Sequence, residues 1–206
     1  LIKNAKVVNE GRIFESDIYI EDERIVRIDQ NISPASAEVK VIDVEGKFVM
    51  PGIIDDQVHF REPGLTHKAD IFSESRAAAA GGITSFIEQP NTVPPAVTLE
   101  KLEEKYSLGA QRSMVNYSFM MGTGNDSLDQ TLAIDPKTVA GIKVFMGSST
   151  GNMLVDDPKT LERLFSEAPT IVVTHCEDES TIRANLKEYR DKYGEDIPMS
   201  AHPLIR

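Results

Sequence analysis

From about residue 48 the chain repeats one pattern: a short apolar run, a polar tip, then a stretch with helical spacing. The apolar runs are residues 53–60, 83–88, 115–121, 141–146 and 170–175, and helices are expected over 71–80, from Thr98, over 157–165 and over 179–193. Near-continuous apolar runs belong to parallel strands buried on both faces, and strand–helix alternation builds α/β layers. A doubly wound sheet would use the same alternation. Polar residues recur at successive strand ends, however, and that is where a barrel carries its chemistry. The expected class is therefore α/β, a (β/α)8 TIM-type barrel with its first five units present. A whole barrel takes about 250 residues. The 206 residues here begin at Leu1 rather than Met, so the chain is expected to be the first part of a longer protein.

The first unit is the most informative. Residues 51–64 open with Pro51-Gly52, run through Ile53 and Ile54, and end at Arg61-Glu62-Pro63-Gly64. With period two, Ile53, Asp55, Gln57, His59 and Arg61 share one face, and Ile54, Val58 and Phe60 take the other. A strand that is only structural has no use for a carboxylate, an amide, an imidazole and a guanidinium in one row.

Residues 1–50 read differently. Short alternating runs, residues 39–44 among them, separated by Asn9-Glu10-Gly11, Asp22-Glu23 and Glu45-Gly46 are expected to form a small N-terminal β-sandwich part, with residues 51–206 as the first part of the barrel. No cluster of reactive side chains lies in 1–50. The formal charge of −11 argues against nucleic acid and against an anionic membrane surface. No apolar run reaches the roughly 18 residues of a membrane span. The single cysteine, Cys176, suits a reducing compartment, and a cytoplasmic setting is expected.

Several strand ends carry chemistry. His59 and His175 end the first and fifth runs. A lone histidine is more often a satisfied core residue, but two at one barrel mouth fit a divalent-metal pair. Lys143 lies mid-strand and shares a face with Phe145. A buried, unpaired ammonium is costly, so Lys143 is expected in an ion pair, as a Schiff-base amine, or as a carbamate formed with CO2. Arg61 and Asn91 end the first two runs. Arginine offers a planar fork to a carboxylate, and asparagine can hold the same group or an amide. Stabilising their loops is the plainer role for both. Residues 147–152 lack the Gly-Lys-Ser/Thr ending of a phosphate-binding loop and are expected instead to lie over the site. His67, Cys176 and His202 are expected to be structural.

These blocks together resemble the dihydroorotase family of the amidohydrolase superfamily. The likeness rests on Arg61-Glu62-Pro63-Gly64, Thr66-His67-Lys68, Gly81-Gly82-Ile83-Thr84, Gln89-Pro90-Asn91-Thr92, Gly141-Ile142-Lys143 and Val173-Thr174-His175. It covers essentially the whole chain. The resemblance implies reversible hydrolysis of the cyclic amide of L-dihydroorotate to N-carbamoyl-L-aspartate, in pyrimidine synthesis, with one or two Zn2+ ions. It implies His59, carbamylated Lys143 and His175 as metal ligands, Lys143 being also the catalytic residue, and Arg61 and Asn91 as holders of the substrate carboxylate. A strand-six histidine and a strand-eight aspartate would follow Arg206. Gln57 departs from the family, which has histidine there, and weakens one metal position. The alternatives are a non-catalytic scaffold of the same family, or another cyclic amidase such as a hydantoinase or allantoinase. The expected partners are a small-molecule substrate and further copies of the chain, with no nucleic acid and no membrane.

Overall fold

The computed structural model describes residues 1–147 and 152–206, and the chain divides into two compact units, Leu1–Gly52 and Ile53–Arg206. In the first unit, β1 (Ile2–Asn9), β2 (Arg12–Glu21) and β3 (Arg24–Asp29) form an antiparallel meander. The short strands β4 (Ile42–Asp43) and β5 (Phe48–Val49) both lie parallel to β1. The result is one five-stranded mixed sheet. Residues 39–44, expected as a full strand, contribute only the two residues of β4. The sheet has a small apolar centre of Ala5, Val7 and Ile18.

Asp17 anchors this unit. It is 4% exposed and accepts hydrogen bonds from Lys3 Nζ, from Asn4 N at 2.9 Å and from Ile32 N at 2.8 Å. Burial alone would raise its pKa, but these donors outweigh it and hold the carboxyl below its usual range.

In the second unit, β6 (Ile53–Val58), β7 (Ile83–Glu88), β8 (Asn116–Gly122), β9 (Gly141–Phe145) and β10 (Val172–His175) form a parallel sheet in sequential order. A doubly wound sheet reverses its strand order part-way. A sequential, curled parallel sheet with helical crossovers is barrel architecture instead. The crossovers are α1 (Ile71–Ala80), α2 (Leu99–Arg112), the short α3 (Leu128–Leu132) and α4 (Pro158–Glu167), with α5 (Glu179–Tyr193) and α6 (His202–Ile205) after β10. Local chemistry sets the helix starts. Asp70 and Ser73 form a reciprocal capping box on α1, Thr98 accepts from Lys101 N, and Asp157 precedes Pro158 at the first turn of α4. Asp178 caps α5 and, bonded by Ser180 and by the amide and hydroxyl of Thr181, has its pKa drawn down to about 2. The helix α3 has no strong sequence signal and was not anticipated.

One face of this sheet packs on the helices. Phe86, Phe119, Met121, Ile142 and Val144 meet Ile71, Leu102 and Leu164 in the main core. Phe60 joins it, with its ring 4.5 Å from that of Phe86. Strand alternation then gives the opposite face to Gln89, Gly122, Lys143, Phe145, Val173 and His175.

Replacing Asp17 with alanine strands three donors, and is expected to lower stability by about 2–4 kcal/mol. Because the folded pKa lies below the unfolded value, this stabilisation is fully present above about pH 4 and lost as pH falls through the folded value. Thermal midpoints followed by circular dichroism should therefore fall more steeply with acidification in wild type than in Asp17→Ala, the wild-type advantage being full above about pH 4 and vanishing at low pH.

Candidate active site

The strand-one tip takes shape through its neighbours. Val58 and Phe60 pack toward the core, which turns His59 to the opposite face. Its Nδ1 lies 2.8 Å from Asn91 Oδ1. Since that oxygen only accepts, the imidazole proton sits on Nδ1 and the Nε2 lone pair is left open. An acceptor oxygen held on Nδ1 in this way fixes the tautomer and the orientation of the ring. Burial is the main reason the His59 pKa is lowered. The charges of Arg61, Lys143 and Lys105 add to it, while the Asn91 bond opposes it. A neutral imidazole results at pH 7. Asn91, with its oxygen committed to His59, has its NH2 group left to donate.

Strand β6 ends at Val58, so the alternation that placed Arg61 in the inner row stops short of it. Arg61 has a φ of +70°, a left-handed backbone costing a non-glycine residue roughly 1 kcal/mol. It is held from both sides. Its N–H donates to Glu88 Oε1 at 3.0 Å, and its carbonyl accepts from Leu65 N at 3.0 Å. Beyond it, Glu62 Oε2 accepts from Ile71 N at 2.9 Å and pairs with Arg112 at 3.1 Å. Pro63 O accepts from Val93 N at 3.1 Å. Gly64 has a φ of +82°, and a Cβ there would come within 2.0 Å of Val93 O. The first two strand tips are thus bolted together through backbone.

On the other side of the sheet's mouth, Lys143 is 4% exposed and has no hydrogen bond or ion pair among the described residues. Its Nζ lies 5.3 Å from the centre of the Phe145 ring. Burial lowers its pKa, and Cys176 opposes that shift without cancelling it. His175 pairs in register with Phe145, and Val173 with Lys143; the His175 and Phe145 rings are 6.0 Å apart. Its Nε2 lies 3.6 Å from Glu177. His59, Lys143 and His175 therefore stand on one face, and the Lys143 charge reaches His59. Among the described residues no group of three or more His, Cys, Asp and Glu side chains is gathered closely enough for a metal. Gln57 lies on β6, exposed. His67 and His202 take no part in this arrangement. The expected loop over the site falls largely on residues 148–151, outside the described residues.

Sequence reasoning missed Glu88 and Lys105. Both are fully buried and their charged atoms are 2.9 Å apart. The signal was present: Glu88 closes an apolar strand, and Lys105 sits on the buried stripe of α2 between Leu102 and Gly109.

The model of the dihydro-orotase-like family matches residues 46–148. The chain belongs to that family. It is 37% identical over 207 residues to a dihydroorotase of Methanothermobacter thermautotrophicus, covering 99% of this chain and 45% of that protein. It is 32% identical to an L-hydantoinase of Paenarthrobacter aurescens, covering 96% of this chain and 44% of that one. The solved structure of L-hydantoinase (dihydropyrimidinase) from Arthrobacter aurescens superposes with a TM-score of 0.85 at 31% identity, over 95% of this chain and 44% of that structure. The chain thus spans a little under half the length of the relatives it matches.

Gly64→Ala combines an unfavourable φ with a backbone clash. It is expected to cost about 2–4 kcal/mol, seen as a lower thermal midpoint, whereas Gly11→Ala, with open space around its Cβ position, should cost less. Equal losses in the two would remove the case for a tight Arg61–Gly64 loop.

Proposed function

We propose that the protein of which this chain is part is a zinc-dependent dihydroorotase, opening the cyclic amide of L-dihydroorotate to N-carbamoyl-L-aspartate and closing it again. The observation that carries this reading is an imidazole on His59 oriented by Asn91 and a buried amine on Lys143, neither with a further hydrogen-bond partner among the described residues, the charges of Lys143 and Arg61 both reaching His59. The relatives support a cyclic amidohydrolase, and the carboxylate holders favour dihydroorotate within that class.

By donor type, though not as a ready-gathered cluster, His59, Lys143 and His175 suit a zinc ion. His59 offers Nε2, His175 offers an imidazole on the same face, and Lys143 is an amine that burial biases toward the neutral form. A neutral Lys143 amine adds to CO2, forming an N–C bond and releasing one proton, which leaves a carbamate with two oxygen donors. Gln57 would add at most an amide oxygen, a weak donor for zinc. The ion, when bound, supplies a Lewis acid that polarises the ring carbonyl.

The remaining work falls to the chain's own groups. Arg61 offers a bidentate fork to the substrate carboxylate, and Asn91 Nδ2 donates to the same group while its oxygen keeps His59 in one tautomer. Fixing the carboxylate presents the ring amide in one orientation, which converts binding into rate through reduced freedom at the reacting bond. Cys176, exposed and free, is consistent with a reducing, cytoplasmic setting.

The hydantoinase reading is the second one, favoured by the likeness to the L-hydantoinase structure. A substrate panel on the full-length protein separates the two: a dihydroorotase requires the ring carboxylate, and a hydantoinase does not. Arg61→Ala is expected to raise KM for dihydroorotate roughly 10- to 100-fold, in line with about 1.5–3 kcal/mol for a charge-assisted hydrogen bond, with kcat little changed. An unchanged KM would sink the assigned role. For the metal, elemental analysis of full-length wild type should find bound zinc and that of Lys143→Ala much less; zinc-free wild type without turnover would favour a non-catalytic family member.

A further inference from the structure

We infer that Glu88, paired with Lys105, is the positioning residue for Arg61, so that a buried acceptor at the end of β7 sets the geometry of the carboxylate subsite. The inference rests on the reading above, in which Arg61 and Asn91 hold that carboxylate.

Glu88 and Lys105 are 0% and 1% exposed, with Lys105 Nζ 2.9 Å from Glu88 Oε2. Burial pushes the Glu88 pKa up and the Lys105 pKa down, and their mutual attraction opposes both shifts. Two charges this far from water are a poor way to stabilise a fold, because desolvation takes back most of what their attraction provides. A pair of apolar side chains in the same space would serve stability as well or better. The polar atoms of the pair are spent elsewhere. Glu88 Oε1 accepts from Arg61 N at 3.0 Å, and Lys105 Nζ donates to Gln89 O at 2.9 Å. Gln89 stands two residues before Asn91. One pair therefore grips the backbone beneath both proposed carboxylate holders.

The grip on Arg61 matters most, because its backbone is left-handed. A residue in that region stays there only when its surroundings over-determine it. An N–H captured by a buried carboxylate is such a constraint, and a charge-assisted bond in a site away from water is a strong one. The placement of α2 makes the reach possible. Gly109, one turn beyond Lys105, lies so close to β8 that a Cβ would meet the Tyr117 ring at 2.6 Å, so helix and sheet approach closely at this level. Lys105 Nζ also lies over the Phe119 ring, 5.2 Å from its centre.

The test uses two double variants of the full-length enzyme. Glu88→Leu with Lys105→Met removes the pair and the acceptor for Arg61 N. Glu88→Gln with Lys105→Met removes both charges but keeps an acceptor oxygen. Both should fold, with similar thermal midpoints. The leucine form should raise KM for dihydroorotate by about tenfold or more with kcat within about twofold of wild type, and the glutamine form should stay within about threefold in KM, as expected for loss and retention of ground-state orientation. Equal KM values in the two variants would overturn the inference. Should the leucine form not fold, Glu88→Met with Lys105→Met replaces it; if neither folds while the glutamine form does, the acceptor at position 88 serves stability and the proposal falls. Arg61→Ala separates the two levels of argument. If it leaves KM unchanged, the carboxylate reading fails and takes this inference with it. If it raises KM while the two double variants agree with each other, the inference fails alone.

Discussion

A parallel strand that must bury one side against a helix leaves its alternate side chains with nowhere to go but the opposite face. In β9 that rule sends Ile142 and Val144 into the helix-side core and leaves Lys143 and Phe145 on the other side. In β10 it does the same with Val172 and His175. The first strand end obeys it through Phe60, whose ring contact with Phe86 turns His59 inward. His59 and Lys143 each owe their position to apolar neighbours in sequence, and His175 to the alternation that starts at Val172. The core is thus what aims the site: a change at Ile142 or Phe60 acts on the chemistry through the residue beside it.

The mouth has an electrostatic character unlike the chain as a whole. The sequence carries a formal charge of −11, yet the groups acting on His59 are Arg61, Lys143 and Lys105. Carboxylates near these groups are either paired or used to hold backbone, as Glu88 and Glu62 are. A small region biased toward positive charge inside an acidic molecule suits the anionic substrate proposed above. Burial first, and these charges second, lower the His59 pKa, and burial lowers that of Lys143; metal ligation and carbamate formation both require the uncharged nitrogen.

Much of this was legible in the chain. The helix starts at Asp70, Thr98, Asp157 and Asp178 lie where a short polar side chain precedes a helical pattern, because capping is a contact between residues three apart. The β7 and α5 bounds follow from the same local logic. The strand count and the polar tips favoured a barrel over a doubly wound sheet, and the sequential strand order bears that out. Where local signals are weak the reading was poorer. Residues 39–44 promised a strand and gave two residues, since little besides β1 pairs with them, and α3 has no cap bond to announce it. Arg61 was placed by alternation on the strand face, but the strand had already ended.

Periodicity and turn chemistry, by themselves, determined most of the elements, the face on which side chains within the barrel strands stand, and the residues near the strand tips. They act over a few residues and are written in the order of the chain. Tertiary packing decided the partners: that Asn91 holds His59, that Glu88 captures the Arg61 amide, and that Lys105 crosses from α2 to reach both Glu88 and Gln89. A sequence can mark Lys105 as facing inward, but a side chain finds its partner only when helix and sheet are fixed at a particular height and separation, and that distance is set by the packing of Gly109 against Tyr117 rather than by any pattern along the chain.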